Sequence, residues 1–323
     1  MHFSIPDSFR GAVSVSRGGT TLFEAAFGFR DLPNRIPNTP DTRFATASAG
    51  KAFVAAGIMK LIEERRLDLE SRLGDVIRFD IGSIDPAITI AQLLSHTSGA
   101  PDYFDESVMD DYAELWHDFP CYRVRKSSDL LFMMRDKPMK SVPGAEFSYN
   151  NGGFVLLDLV IESIAGESFD KYLDKAVFVP CGMNCTGYYE MDRLPAGCAN
   201  SYIWDEARSE YYTNIFSVDT KGTGAGGAFT TVRDVRAFWE GLFGEKIVSP
   251  ETLAQMTEPR ARWDGGGYGL GLWLDEAGNP LFQGSDPGVE FVSKRLSDGA
   301  VVTAVSNYGD DAWKVIGDIC RAM

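Results

Sequence analysis

Ser48 and Lys51 stand three residues apart in ATASAGKAF, residues 45–53, and two chemistries compete for the pair. Gly50-Lys51 could close a phosphate-binding loop, but that motif is Gly-x-x-x-x-Gly-Lys-[Ser/Thr], and positions 45 and 52 are both alanine. The alternative is a nucleophile and its base. On a helix that begins at Ser48, Lys51 lies one turn further along the same face. A serine hydroxyl attacks a carbonyl only when something takes its proton, and a lysine does so when burial or neighbouring cations lower its pKa. The start of a helix also offers free N–H groups to a developing oxyanion. The neighbours Ala45, Ala47, Ala49, Ala52 and Phe53 are small or apolar, which suits a partly buried lysine.

A second chemical element is Tyr149-Asn150-Asn151 in FSYNNGGF, just before a strongly apolar run. A tyrosine near a lysine can share its proton work, and an asparagine amide can orient the substrate or the lysine. Other candidates carry less. A Ser-His-Asp triad would draw on His2, His96 or His117, and no Gly-x-Ser-x-Gly elbow occurs. His2 is terminal, His117 lies in an acidic stretch expected to be exposed, and His96 reads as a hydrogen-bonding residue in a turn. GTGAGG contains Gly222, Gly224 and Gly227 at dinucleotide-loop spacing, but no hydrophobic strand precedes it. It reads as a tight loop feeding a helix, with Thr231 and Asp234 as a capping box. Cys181 and Cys185 have no matching second pair, so neither metal nor cofactor is expected.

These residues need elements to hold them. GAVSVS and TTLFEAAFG alternate around Arg17-Gly18-Gly19 and predict a β-hairpin. After Ser48 the period changes: Phe53, Val54, Gly57, Ile58, Leu61 and Ile62 mark a helix with one buried face. Strand signals then thin out until about residue 220. GGFVLLDLVIESIAG predicts a helix ending at Gly166, and SFDKYLDKAVF another with Ser168 as N-cap. Strands return in GGYGLGLWL, VEFVSKRL and AVVTAVSN, and DDAWKVIGDIC closes the chain as a helix. The pattern predicts one sheet domain built from residues 1–75 plus 225–323, with a mostly helical insertion lobe at 76–224.

The 323 residues carry a net charge of −15, without a basic stripe or cluster, which excludes nucleic acid and anionic membrane surfaces as expected partners. No apolar run reaches membrane-spanning length, and the N-terminus lacks a basic region followed by an apolar stretch. Five scattered cysteines, an odd number, suit reduced thiols, so a cytoplasmic location is expected.

With these motifs assembled, the sequence resembles the serine β-lactamase and penicillin-binding-protein-like hydrolases, near the class C β-lactamases, DD-peptidases and family VIII carboxylesterases. The resemblance runs almost from end to end. It rests on Ser48-Ala49-Gly50-Lys51, LLSHTSGAPDY, Tyr149-Asn150-Asn151 followed by GGF, FVPCGM, GAGGAFTTVRDV, YGLGLW and GSDPGVEF, in shared order and spacing. It implies an α/β (α+β) fold of the β-lactamase/transpeptidase type, an antiparallel sheet flanked by helices. Ser48 would be the acylated nucleophile. Lys51 and Tyr149 would handle protons, with the division between them open, and Asn151 would contact the substrate. The backbone N–H groups of Ser48 and Ser285 would form the oxyanion hole.

The third motif departs from the pattern. Lys-Thr-Gly or His-x-Gly is usual there, and this chain has Phe282-Gln283-Gly284. The change removes the cation thought to hold the carboxylate of β-lactams and D-Ala-D-Ala peptides, and it resembles the esterases, which carry tryptophan there. Lys221 lacks the right order to substitute, while Lys294 and Arg295 on the next strand are candidate replacements. The expectation is a serine hydrolase acting on a small-molecule ester, or next on D-amino-acid amides or peptides. Phe282, Gly284 and Ser285 would contact the substrate with Asn151, and Phe282→His would raise reactivity toward carboxylates. A D-Ala-D-Ala carboxypeptidase or β-lactamase is the alternative within enzymes, and a non-catalytic binding protein on the same fold is the alternative outside them.

Overall fold

The computed structural model describes residues 3–323; Met1 and His2 lie outside the described residues. Gly18 and Gly19 take φ values of +54° and +77°, the type I′ geometry that joins β1 (Gly11–Arg17) to β2 (Thr20–Phe27) with Arg17 opposite Thr20. Six further strands come from the far end of the chain: β3 (Ala261–Trp263), β4 (Gly266–Tyr268), β5 (Trp273–Asp275), β6 (Pro280–Asp286), β7 (Val289–Arg295) and β8 (Ala300–Ser306). Among the described residues these eight strands form one antiparallel sheet in the order β2-β1-β8-β7-β6-β5-β4-β3. The early strand β1 and the late strand β8 therefore pair side by side, one strand in from the β2 edge.

Both faces of the sheet are covered. One packs Val13, Val15, Val292, Val302 and Ala304 against Val315, Ile316 and Ile319 of the C-terminal helix Ala312–Ala322. The other sends Ala12, Phe291, Val301 and Val305 into a continuous core shared with α1 (Lys51–Glu63), α2 (Asn151–Ala165) and α3 (Val232–Phe243). Burial on both sides explains why β8, AVVTAVS, lacks polar alternation.

Helix α1 departs from the expected single buried face. Every residue from Lys51 to Met59 is buried, and Leu61 with them, because the helix runs through the middle of the core. Its alanines, Ala52, Ala55 and Ala56, face neighbours instead of solvent. The stretch between α1 and α3 contains short helices, α2 and many irregular turns. It also holds a hairpin, Tyr202–Asp205 paired with Glu210–Thr213, where helix was expected to dominate. Ser168 precedes the helix Phe169–Leu173 without a side-chain cap bond. The capping box of α3 is half formed: Thr231 Oγ1 accepts from Asp234 N at 3.0 Å, but the Asp234 carboxylate accepts from Cys185 N and Thr186 Oγ1.

Candidate active site

Ser48 sits in a tight helical turn, Ala47–Gly50, that runs directly into α1. The turn is bent into place by Ala47, whose φ of +46° is unusual for a residue with a Cβ. Two backbones clamp it. A Cβ on Gly284 of β6 would lie 2.4 Å from Ser48 N, and one on Gly226 would lie 2.5 Å from Ala47 O. Glycine is required at both positions because nothing larger fits between strand, loop and helix start. The Ser48 N–H thus opens a helix facing a cavity of about 810 Å³, whose wall also includes Gly284 and Ser285.

One turn along, Lys51 is 3 % exposed. Its Nζ donates to Ser48 Oγ at 2.9 Å, to Asn151 Oδ1 at 2.7 Å and to the Ala225 carbonyl, so each ammonium proton has an acceptor. Burial lowers its pKa to about 8, against the opposing pull of Glu106, Asp102 and Asp286. Tyr149 lies beside this pair, with Lys51 Nζ 5.0 Å from its ring centre and Trp273 stacked at 5.7 Å. Burial, with Tyr268 and Glu106 nearby, holds the Tyr149 phenol well above its ordinary pKa, against a favourable contact with Ser48. The phenol is therefore protonated.

Asn151 lines the cavity, but its amide is committed elsewhere. The oxygen accepts from Lys51, and Nδ2 donates to Phe104 O and Glu106 Oε1, both at 3.1 Å. It holds the lysine. Asn151 is in turn held by Asp102, which accepts from Asn151 N at 2.7 Å and Gly152 N at 2.8 Å at the start of α2. His96, buried at φ +56°, accepts from Asn150 N through Nδ1, so its Nε2 carries the proton facing Tyr268 Oη at 3.1 Å. Burial and Lys51 keep it neutral. It fixes the Tyr149–Asn151 segment through Asn150 and is absent from the lining of the catalytic cavity. His117 is exposed.

The glycine loop turned out to be part of this machinery. Thr223 and Gly226 exchange backbone bonds, Gly227 N donates to Ala47 O at 3.1 Å, and Ala225 supplies the acceptor for Lys51. Asp158, fully buried on α2, ties the loop down by accepting from Gly224 N and Ser127 Oγ. A carboxylate in the middle of GGFVLLDLVIESIAG was a readable signal, because a buried acid demands donors.

Phe282 is the residue that the structure keeps out of the site. It is 2 % exposed and packs against Phe53, Phe238, Trp239 and Phe291 at centroid distances of 5.0–6.1 Å. The expected substrate contact is corrected accordingly: the side chain fills the core between β6, α1 and α3 and is absent from the cavity wall. None of the replacement cations reaches the site. Lys221 pairs with Asp170, Lys294 with Asp275, and Arg295 stacks 3.9 Å over Phe243. The cavity is instead lined by acids that sequence reading passed over, among them Glu106, Asp219 and Asp286.

Residues 7–313 match the model of the family described as Beta-lactamase. Penicillin-binding protein 4* of Bacillus subtilis (strain 168) is 28 % identical over 287 residues, 83 % of this chain and 60 % of that protein. The chain thus spans about three fifths of that relative's length. The penicillin binding protein of Bacillus halodurans has a crystal structure with 35 % identity and a TM-score of 0.94, covering 98 % of each chain. The fold is also that of a D-amino acid amidase from Ochrobactrum anthropi SV3, 21 % identical, with a TM-score of 0.80 over 98 % of this chain and 95 % of the other. Family model, relatives and fold agree with the resemblance carried by the motifs, and the chain belongs to the Beta-lactamase family.

Proposed function

We propose that this chain hydrolyses small-molecule esters, or D-amino-acid amides or peptides, through an acyl-enzyme on Ser48. The observation that carries the reading is the buried lysine whose Nζ lies 2.9 Å from the Ser48 hydroxyl. Near pH 8 about half of such a lysine is neutral and can take the Ser48 proton as Oγ bonds to the substrate carbonyl carbon. The resulting oxyanion would be held by the N–H groups of Ser48 and Ser285, which share the cavity. As the intermediate collapses, the leaving group departs with a proton passed from Lys51 through the protonated Tyr149, favouring Lys51 as base and Tyr149 as relay. Water then attacks the Ser48 ester in the same way and regenerates the hydroxyl.

A β-lactamase or D-Ala-D-Ala carboxypeptidase is disfavoured, because no lysine, arginine or histidine among the described residues lines the cavity to meet a substrate carboxylate. A non-catalytic role is disfavoured by the joined Ser48, Lys51 and Tyr149. No helix among the described residues is long and apolar enough to cross a membrane. A cytoplasmic location is part of the proposal, supported by five cysteines of which none is in a disulfide.

Intact-protein mass spectrometry with p-nitrophenyl butyrate and, separately, benzylpenicillin tests the reading. A transient butyryl adduct that Ser48→Ala abolishes, while the variant stays folded, is expected. Ester turnover surviving in Ser48→Ala would sink the mechanism, and a stable penicilloyl adduct would restore penicillin binding.

A further inference from the structure

The wall of the catalytic cavity is one-sided in charge. Glu106, Asp110, Asp111, Asp219 and Asp286 line it, against no basic side chain among the described residues. The nearest cation, Lys51, lies beneath the floor with its protons already committed. Asp286 directly follows Ser285 on β6, and its carboxylate has neither a hydrogen bond nor an ion pair; only burial and other charges act on it. Asp219 accepts one bond, from Tyr112 Oη at 2.9 Å, and Glu106 accepts one, from Asn151. Burial and repulsion from Asp219 and Glu106 push Asp286 up to about 7 against the pull of Lys51, and burial pushes Asp219 to about 7 against its bond from Tyr112, so a bound cation would favour their charged forms.

An independent feature of the same wall points the same way. Asn214 is 2 % exposed and lines the cavity; its Nδ2 donates to Pro287 O at 2.9 Å, but its Oδ1 has no donor. Asp286 and Asn214 Oδ1 are thus acceptors without donors on residues of the wall that also carries Ser48. A cationic donor would satisfy them, and a carboxylate would be repelled.

We propose, on the footing of the Ser48 acyl-transfer reading, that the substrate carries a free ammonium group held by Asp286, with Asp219 and Glu106 beside it. The enzyme is then a hydrolase of amino-acid esters or amides, or of short peptides with a free N-terminus. In the acylation step, Ser48 Oγ bonds to the carbonyl carbon, the ester or amide bond breaks, and the leaving group takes the Ser48 proton. Water releases the amino acid, and the ammonium is spectator throughout.

The test compares kcat/KM for alanine p-nitroanilide with that for its N-acetyl and N-succinyl derivatives, in D and L forms. The free amine is expected to exceed the N-acetyl compound by about tenfold or more, with N-succinyl poorest. Asp286→Asn is expected to reduce the amine-to-acetyl ratio by about tenfold, with folding checked by thermal melting. If that variant does not fold, loss of the wild-type preference in high salt serves instead. Free amine no better than N-acetyl, while Ser48 still turns over p-nitrophenyl butyrate, overturns the proposal and leaves the hydrolase reading standing. Failure of every substrate, p-nitrophenyl butyrate included, overturns the hydrolase reading, and the proposal falls with it.

Discussion

Lys51 is asked to be a base while three acceptors favour its charged form, and the balance is set by burial against carboxylates. The sign follows directly. An amine lowered to about 8 is neutral above that pH, so kcat/KM for a neutral ester is expected to rise through about pH 8 and level off. Glu106→Gln keeps an acceptor for Asn151 but removes a charge that raises Lys51, so the rising limb is expected to move to lower pH; a limb moving up would assign the base elsewhere. Lys51→Met is expected to lose about 10²–10⁴-fold in kcat. Ser48, Lys51 and Tyr149 were legible because type and spacing are local properties. Asp102 and Asp286 were not: an aspartate in a loop and another in a strand look like any surface acid until the fold buries the first and sets the second in the cavity wall.

At the scale of elements, the site depends on how closely β6 passes the start of α1. Gly284→Ala would drive a Cβ to 2.4 Å from Ser48 N, and moving either partner displaces the nucleophile. A loss of about 10²-fold in ester turnover with little change in circular dichroism is expected. Normal turnover would show that strand and turn can part without consequence. Phe282, two residues earlier on the same strand, faces inward with Gly284 and is enclosed by aromatic rings. Phe282→His therefore places an imidazole in the core and is expected to cost about 2 kcal/mol or more in urea unfolding, with no gain toward carboxylate substrates. A faster penicillin acylation would show that the ring swings into the cavity. The third motif was legible by position, yet which way its first side chain is used depends on packing across the sheet. The hairpin at 202–213 escaped for a related reason: short strands carry too few alternations to stand out.

For the whole molecule, the hydrophobic pattern was legible at both ends of the chain: it marked β1, β2, β4, β5, β7 and β8 and passed over β3 and β6. What composition did not convey is where the −15 net charge concentrates. Asp219 and Asp286 have folded-state pKa values raised to about 7, so they contribute stability that is present below about pH 4 and lost as pH rises through 7. Asp286→Asn is expected to raise Tm at pH 8 and to have little effect at pH 4, as read by calorimetry. Equal effects at both pH values would mean that the carboxylate is solvated.

The pairing of β1 with β8, Gly11 opposite Ser306, also bears on how the molecule is made. More than two hundred residues separate β2 from β3. At synthesis rates of roughly 5–20 residues per second, the first hairpin waits tens of seconds with its inner edge open. The strand that covers this edge, β8, is made only after β3 to β7. Until then β1 offers Val13 and Val15 and a row of unpaired backbone groups to any passing chain. Because its partner strand is so distant in sequence, the waiting β1–β2 hairpin needs shielding from such chains until β8 arrives.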